Sequence, residues 1–211
     1  MIAQAGMESK TAPARSEPVQ AFLAALASGS PAPGGGAAAA LCGALAASLV
    51  AMVSRVTTER DPSTKDEVAP VTAAADQLRD RLARLIDEDM QAYRGVLASR
   101  ASGPGALQNA LRRAIAAPLD IARASRDVLA LSETLGPRAR RSAVSDLGVA
   151  AALAWGALES GVLTARVNLG GLTDAEFARQ AADELEQLLA DGERSRRRAS
   201  EIITRRVERR D

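Results

Sequence analysis

Asp89 lies in the apolar register of a long predicted helix, at a position where a hydrophobic residue is expected. The register steps by four and three residues through Val71, Ala75, Leu78, Leu82, Leu85, Asp89, Ala92 and Val96. Burial of an ionised carboxylate is costly unless the group is paired or its pKa rises. Asp89 is therefore a proton-transfer group, the partner of an arginine from another helix, or a residue at the wet edge of the stripe.

The run PAPGGG, from Pro31 to Gly36, is the second candidate for chemistry. Its prolines restrict the entry to the following helix, and its glycines allow the backbone to approach a ligand closely. The free N–H groups at the start of that helix also suit a ligand. No Gly-Lys-Ser/Thr follows, so the run is not a P-loop, and no predicted strand precedes it as in a dinucleotide fingerprint. We predict a binding loop, with a plain helix connection as the alternative.

Polar residues also flank the apolar segment at residues 147–165. Ser145 and Asp146 precede the segment, and Thr164 and Asn168 lie one turn apart near its end. Helix capping is an ordinary explanation of Ser145 and Asp146, and Asn168 fits a C-cap equally well. On spacing alone, these four residues are secondary candidates for a site.

The composition excludes several classes of site. The chain has no histidine and a single cysteine, Cys42, so a Ser-His-Asp or Cys-His site, an internal disulfide and a Cys/His zinc site cannot be built from it. We predict no metal. Lys and Arg number 27 against 26 Asp and Glu, and aromatic residues make up 2% of the chain, so nucleic acid is a poor candidate partner. Acid–base work must use carboxylates, lysine, Tyr93 or bound groups.

Helical periodicity predicts an all-α fold, because no segment shows a convincing alternating strand pattern. Residues 1–15 are small and polar and are predicted to be a mobile N-terminal segment, whereas residues 16–211 are predicted to form a single helical domain. A first short helix is predicted from its apolar face, which consists of Val19, Phe22, Leu23 and Leu26. A long helix is predicted from about Lys65 to Arg100 with Ser63 as its cap, and another helix is predicted to be kinked at Pro118. Chain breaks are predicted at Gly103–Gly105 and Gly136–Pro137, and a terminal helix is predicted to be capped by Thr173 and Asp174.

Residues 37–54 are uncharged over eighteen positions, which is long enough for a membrane span. Eight of them are alanine, which drives insertion weakly, so we predict a central helix buried on both sides and no membrane association. The helix has a small-residue strip opposite a bulky ridge: Ala39, Gly43, Ala47 and Ala51 against Leu41, Leu45, Leu49 and Val53. The start MIAQAGMESK lacks the basic and apolar regions of a signal peptide, which predicts a cytoplasmic location.

Four segments together resemble the cyclodeaminase/cyclohydrolase family, whose members act on one-carbon units carried by tetrahydrofolate. They are SGSPAPGGGAAAALCGALAASLVAMVSRVT, DEDMQAY, APLDIA and SDLGVAAALAWGALESGVLTARVN. The resemblance extends from about Ser16 to the terminal helix, in the family's order and with similar spacing. It implies a homodimeric bundle of long antiparallel helices around two central helices rich in small residues, with a folate cleft near the subunit interface.

The resemblance also implies residue roles. The family's D-x-x-A-aromatic pattern matches Asp89, Ala92 and Tyr93, and in formimino-transferring relatives this Asp is taken to be the proton acceptor. The family usually has a Gly-basic-basic-x-aromatic cluster after the first apolar helix, of which this chain keeps at most Arg60, and Thr164 stands where relatives commonly have Asn. The implied substrate-binding residues are Ser30, Pro33, Gly34, Gly35, Gly36, Arg60, Ser145, Asp146, Thr164 and Asn168.

The implied substrate is a tetrahydrofolate derivative, with no permanently bound cofactor. In one reaction, water adds to 5,10-methenyltetrahydrofolate and gives 10-formyltetrahydrofolate. In the other, 5-formiminotetrahydrofolate cyclises to the methenyl compound and releases ammonia. Both reactions need a proton moved, so one partly desolvated carboxylate could serve either. The alternatives are a diverged member that binds folate or another small ligand without catalysis, and a purely structural helical dimer.

Overall fold

A computed structural model of the chain describes residues 18–208 and is built from α-helices joined by short turns. The helices are α1 (Val19–Leu26), α2 (Gly35–Arg60), α3 (Lys65–Ser99), α4 (Pro104–Leu135), α5 (Val144–Leu169) and α6 (Ala175–Glu208). One-turn 3₁₀ segments, Pro62–Thr64 and Arg141–Ala143, precede α3 and α5. The all-α prediction is confirmed, whereas the predicted mobile segment 1–15 lies outside the described residues.

Helices α2 and α5 lie at the centre, where α2 packs on α3 and α5, and α5 also packs on α4 and α6. The small-residue strip of α2 is buried, and a Cβ on Gly43 would lie 3.0 Å from the Leu82 side chain and 3.1 Å from the Ser125 hydroxyl. Small residues therefore let α3 and α4 approach α2 closely. The bulky ridge differs from the prediction, because Leu45 is 51% exposed. At the position of Leu45, a single chain therefore buries only one side of α2.

Helices α2 and α5 run antiparallel. The Arg140 N–H, just before α5, donates to the Thr57 hydroxyl near the end of α2 at 2.9 Å, and the Cys42 thiol donates to the Leu153 carbonyl at 3.5 Å. The start of α2 therefore lies beside the end of α5. We call the end that contains Gly34–Gly36 the cavity end, and the end that contains Arg60 the opposite end. The two are roughly 36 Å apart along α2 at 1.5 Å per residue.

One predicted helix cap is wrong, and the first predicted helix is only partly buried. Ser63 does not cap α3, because its hydroxyl donates to Asp61 at 2.5 Å inside the preceding 3₁₀ turn, and Thr64 occupies the cap position. In α1, Phe22 is buried, but Val19 and Leu23 are 69% and 55% exposed. Phe22 and the partly buried Leu26 therefore anchor this helix of eight residues, whereas Val19 and Leu23 are left exposed in the described chain.

Helices α4 and α5 approach closely near the cavity end. A Cβ on Gly161 would lie 2.9 Å from the Pro118 carbonyl oxygen and 3.1 Å from the Ala122 nitrogen, so only glycine fits there. Helix α4 is continuous through Pro118. The predicted cap of α6 is confirmed at Asp174, whose carboxylate accepts the Phe177 N–H at 3.0 Å, while Thr173 bonds instead to Gln108 of α4.

Two stretches in residues 18–208, Gly35–Arg60 and Arg141–Leu169, are long and apolar enough to cross a membrane by length and composition alone. In this chain 61% and 44% of their most apolar windows are buried against other helices. A core helix with a small-residue face gives the same composition. The predicted lack of membrane association stays a prediction.

Candidate active site

The Asp89 carboxylate lies under the first turn of α2. A Cβ on Gly36 would overlap this carboxylate, so the third glycine of the loop gives Asp89 its space. The carboxylate also accepts a hydrogen bond from the Ala37 N–H, one of the helix-start donors that have no partner within α2. Asp89 and the glycine run, which are 53 positions apart in the chain, are thus parts of one arrangement.

Burial raises the pKa of Asp89 above its ordinary value, and the Ala37 N–H opposes this rise only in part. Among residues 18–208 no ion pair is formed by Asp89, so the interpretation as an arginine partner is not supported. The nearby carboxylate Glu88 pairs with Arg81 at 2.6 Å and points away from Asp89's apolar register. Asp89 is thus a partly buried carboxyl group that binds protons more readily than an ordinary aspartate.

A cavity of about 430 Å³ adjoins the Asp89 carboxylate. Its walls are mainly apolar or small side chains, with polar groups from three helices and the glycine loop. It brings together Gly34, Gly35, Gly36, Asp89, Thr164 and Asn168 of the predicted site. The other lining residues are Pro31, Ala32, Met90, Ala92, Tyr93, Ala114, Leu163 and Val167. Ligand pockets commonly have this size and this mixture of apolar walls and few polar groups.

The loop residues have different roles. Gly34 and Gly35 line the cavity, and a Cβ on either would meet open space. No protein atom requires a glycine at these two positions, so the space beside them is available to a ligand. Pro33 is buried behind the cavity wall, after a cis peptide bond from Ala32. Ser30 is exposed and its hydroxyl pairs with that of Ser28 at 2.9 Å, so it shapes the turn and does not line the cavity.

Thr164 and Asn168 enter the cavity from the last turns of α5. The Thr164 hydroxyl donates to the Ser160 carbonyl of its own helix at 2.9 Å, which leaves its oxygen able to accept. The Asn168 amide donates to the Ala114 carbonyl of α4 at 2.8 Å. The interpretation of Asn168 as a C-cap is wrong, because Gly170 holds that position and Asn168 instead joins α5 to α4.

Three predicted binding residues lie at the opposite end of the same chain. Arg60 is the last residue of α2, and Ser145 and Asp146 belong to the first turn of α5. The cap position of α5 is held by Ala143, so Ser145 does not cap the helix as expected. The antiparallel pairing of α2 and α5 separates these residues from Asp89 within one chain. Their role in binding stays a prediction.

Tyr93, Leu163 and Val167 line the cavity, although the predicted site did not include them. Tyr93 is 44% exposed, and Leu163 and Val167 are 66% and 72% exposed. The signal for Tyr93 was present, since it is the chain's single tyrosine and follows Asp89 by one helical turn. The α5 pair gave no such signal, because apolar residues in an apolar helix are expected to be core.

The arrangement supplies one carboxylate with a raised pKa, a wall of apolar side chains that limits water, and an amide and a hydroxyl at the far wall. A raised pKa brings a carboxyl group closer to neutral pH, where general acid–base catalysis is most effective. Within residues 18–208 no cluster of three or more Cys, Asp or Glu residues has the arrangement of a metal site.

The fold and cavity define a class: an all-α protein with a single partly buried carboxylate held under a glycine-rich helix start. The sequence matches the formiminotransferase-cyclodeaminase family over residues 18–187, and the chain belongs to that family. The resemblance drawn from the four sequence segments is thereby confirmed.

Similar proteins with curated names fall into two groups. The methenyltetrahydrofolate cyclohydrolase of Methylorubrum extorquens is 34% identical over 206 residues, which cover 92% of this chain and 99% of that protein. The formimidoyltransferase-cyclodeaminase of Rattus norvegicus is 32% identical over 193 residues, which cover 82% of this chain. The chain spans about a third of the length of this second relative, 34%.

The fold also matches a solved structure. The crystal structure of formiminotetrahydrofolate cyclodeaminase from Thermotoga maritima superimposes with a TM-score of 0.87 at 28% sequence identity. The match covers 90% of this chain and 96% of the other. It therefore includes nearly all of the helices that form the cavity.

Proposed function

We propose that this chain is a one-carbon folate enzyme that interconverts tetrahydrofolate adducts in the Asp89 cavity. The observation that carries the proposal is Asp89, the one carboxylate among the lining residues of an apolar cavity of about 430 Å³, whose pKa is raised by burial. Similarity to a cyclohydrolase over the whole length, and to cyclodeaminases, supports the same chemistry. The reaction is 5,10-methenyltetrahydrofolate hydrolysis to 10-formyltetrahydrofolate, or cyclisation of 5-formiminotetrahydrofolate with ammonia release.

Asp89 acts as the proton acceptor in either reaction. In the hydrolysis, water adds to the amidinium carbon and Asp89 takes its first proton. Asp89 passes this proton to N5, and the carbon–N5 bond breaks as the remaining hydroxyl proton is lost to the carboxylate, which leaves the formyl group on N10. In the cyclisation, N10 attacks the formimino carbon and loses its proton to Asp89, which returns a proton to the departing ammonia. The hydrolysis releases one net proton, which Asp89 passes to solvent, whereas cyclisation of the protonated formimino group releases none. One acid–base group therefore serves either reaction.

The remaining lining residues orient the substrate. The open space beside Gly34 and Gly35 admits a flat ring close to the backbone, and the exposed Tyr93 ring offers an apolar face next to Asp89. Asn168 retains an amide oxygen after its donation to Ala114, which suits a ring N–H. Fixing the one-carbon unit against Asp89 in this way contributes to catalysis by orientation.

The test follows methenyltetrahydrofolate by its absorbance and ammonia release from formiminotetrahydrofolate in parallel, with the wild type and Asp89→Asn. We expect the wild type to accelerate one of the reactions and Asp89→Asn to lose about 100-fold or more in kcat. No acceleration by the wild type would contradict an enzymatic function and favour a ligand-binding or structural role. Equal rates for both proteins would leave the enzyme but remove Asp89 as its base.

We further propose that a second copy of this chain covers the outer face of α2 and α5. This face exposes large apolar residues, Leu45 and Val149 at 51% each and Leu163 at 66%, and it is continuous with the cavity mouth through Leu163. A twofold axis across the antiparallel pair would bring the opposite end of one copy to the cavity end of the other. Arg60, Ser145 and Asp146 would then complete the neighbouring cavity.

Sedimentation of the wild type and of Leu45→Arg tests this assembly. We expect a dimer for the wild type and a monomer for the variant, because a buried arginine without a partner opposes association. A wild-type monomer at the concentration of the activity assay would contradict the proposed dimer.

A further inference from the structure

The cavity beside Asp89 holds no cationic side chain among its lining residues. A folate substrate ends in a glutamate group, whose carboxylates are ionised at neutral pH. A cavity of about 430 Å³ with mainly apolar walls suits the ring system, not these charges. Apart from Arg60 of the proposed second copy, the cations available to this anionic end lie outside the cavity, near its mouth.

A second cleft, of about 390 Å³, adjoins the first between α3 and α4. Ala92 lines both, and Arg113 in the second cleft directly precedes Ala114, which lines the first. Five of the eight residues that line the second cleft are polar or charged: the lining is Arg81, Glu88, Gln91, Ala92, Arg113, Ala116, Ala117 and Asp120.

The two arginines in this cleft differ in whether they form ion pairs within the chain. Arg81 donates to Glu88 at 2.6 Å and to Asp120 at 2.5 Å, so its guanidinium is engaged by two carboxylates across α3 and α4. Asp120 also accepts from Arg123 at 2.8 Å. Arg113 is exposed and forms no ion pair with any residue between 18 and 208. Its guanidinium is the cleft's cation that remains available to an outside anion. A guanidinium matches a carboxylate with two parallel N–H donors.

We propose that Arg113 binds the glutamate carboxylates of the substrate and so selects folates that carry this group. The inference rests on the proposed folate function and assigns the substrate's charged end to the cleft between α3 and α4. Gln91, on the same cleft, supplies an additional amide donor. Arg113 acts in binding and takes no part in proton transfer.

The neighbouring Arg112 offers a matched control. Its guanidinium pairs with Asp174 at 2.5 Å and lies 5.2 Å from the centre of the Phe177 ring, on the side of α4 that faces the start of α6. Removal of Arg112 deletes the same charge from the adjacent position but leaves the cleft unchanged. Thermal unfolding of both variants checks that each remains folded.

The experiment compares two substrates, 5,10-methenyltetrahydrofolate and 5,10-methenyltetrahydropteroate, which lacks the glutamate. For Arg113→Ala we expect KM for the folate to rise about three- to tenfold, with kcat within twofold, because an exposed charge pair contributes modestly. KM for the pteroate, whose single carboxylate lies directly on the benzoyl ring, should rise less than about twofold. Arg113→Lys should recover part of the loss, and Arg112→Ala should behave as the wild type with both substrates.

The outcomes separate the inference from the proposed function. An unchanged KM for the folate in Arg113→Ala, or an equal rise for both substrates, would overturn the assignment of Arg113 while wild-type turnover still supports the enzyme. A wild type that turns over neither substrate, and releases no ammonia from formiminotetrahydrofolate, would overturn the proposed function and the inference with it. A rise confined to the folate supports Arg113 as its carboxylate contact.

Discussion

The two ends of the α2–α5 pair carry the same kind of sequence signal but have different surroundings. At the cavity end, small and polar residues surround Asp89 and an open space, with Gly36 and Ala37 in contact with the carboxylate. At the opposite end, Arg60, Ser145 and Asp146 lie at helix ends away from that space. A polar residue next to an apolar helix therefore indicates a binding site only where another helix or loop places further functional residues beside it.

The largest expected effect is at the cavity end. Gly36→Ala places a methyl group on the Asp89 carboxylate, so that Asp89 must leave its position under α2. We expect kcat to fall about 100-fold, the usual scale for loss of a positioned acid–base group. The measurement is turnover of the preferred folate substrate at saturation.

Gly95→Ala is the control for this variant, because a Cβ on Gly95 of α3 meets open space. It should keep full activity and gain about 0.5–1 kcal/mol in stability from higher helix propensity. Wild-type turnover in Gly36→Ala would show that the contact between the loop and Asp89 is dispensable.

An intermediate effect is expected at the opposite end. Asp146→Ala should lower kcat/KM about tenfold if a second copy brings this residue to a cavity, since a charge-assisted hydrogen bond is worth that much. Mixing Asp146→Ala with Asp89→Asn should then restore activity, because about half of the dimers are mixed and each mixed dimer has one intact cavity. The measurement is activity of the re-equilibrated mixture against each variant alone.

Two results would break this comparison of the ends. Full activity of Asp146→Ala would remove the opposite end from catalysis altogether. Low activity without recovery on mixing would mean that Asp146 acts within its own chain, through the start of α5.

The smallest effect concerns stability. Burial raises the pKa of Asp89 in the folded chain above its unfolded value, so ionisation destabilises the fold. This cost is absent below the unfolded pKa, about 3.9, and complete above the folded pKa. Asp89→Asn should therefore be more stable than the wild type by about 1 kcal/mol at neutral pH, with no gain near pH 3. Urea unfolding at a series of pH values measures it.

An equal gain at both pH values would contradict a raised pKa as its cause. A loss of stability in Asp89→Asn at neutral pH would mean that the bond from the Ala37 N–H outweighs the cost of burial.

Much of the fold follows from local pattern. The period of apolar residues located the long helices, and the small-residue strip of α2 indicated close packing that the structure bears out at Gly43. Asp89 was detectable because a charge interrupted an apolar register. These signals arise within a single helix, where the spacing of residues along the chain determines which face of the helix they share.

Other features depend on which helices become neighbours. The crowding of Gly36 by Asp89, and the bond from Asn168 to Ala114, each join helices that are distant in the chain. Spacing within a helix carries no information about them. Arg113 also escaped notice, because one arginine among many becomes distinctive only after its neighbour Arg112 is seen to be paired.

Burial at the cavity wall makes the protonation of the Asp89 carboxyl group sensitive to what enters the cavity. Burial raises the pKa of this group, and the Ala37 N–H opposes the rise only in part because no cationic side chain lines the cavity in one chain. The amidinium of 5,10-methenyltetrahydrofolate is itself positively charged and would lower that pKa on arrival. Binding of the cationic substrate would thus favour the ionised form of the base that acts on it, and proton release to the buffer should accompany binding at pH values near the pKa of Asp89.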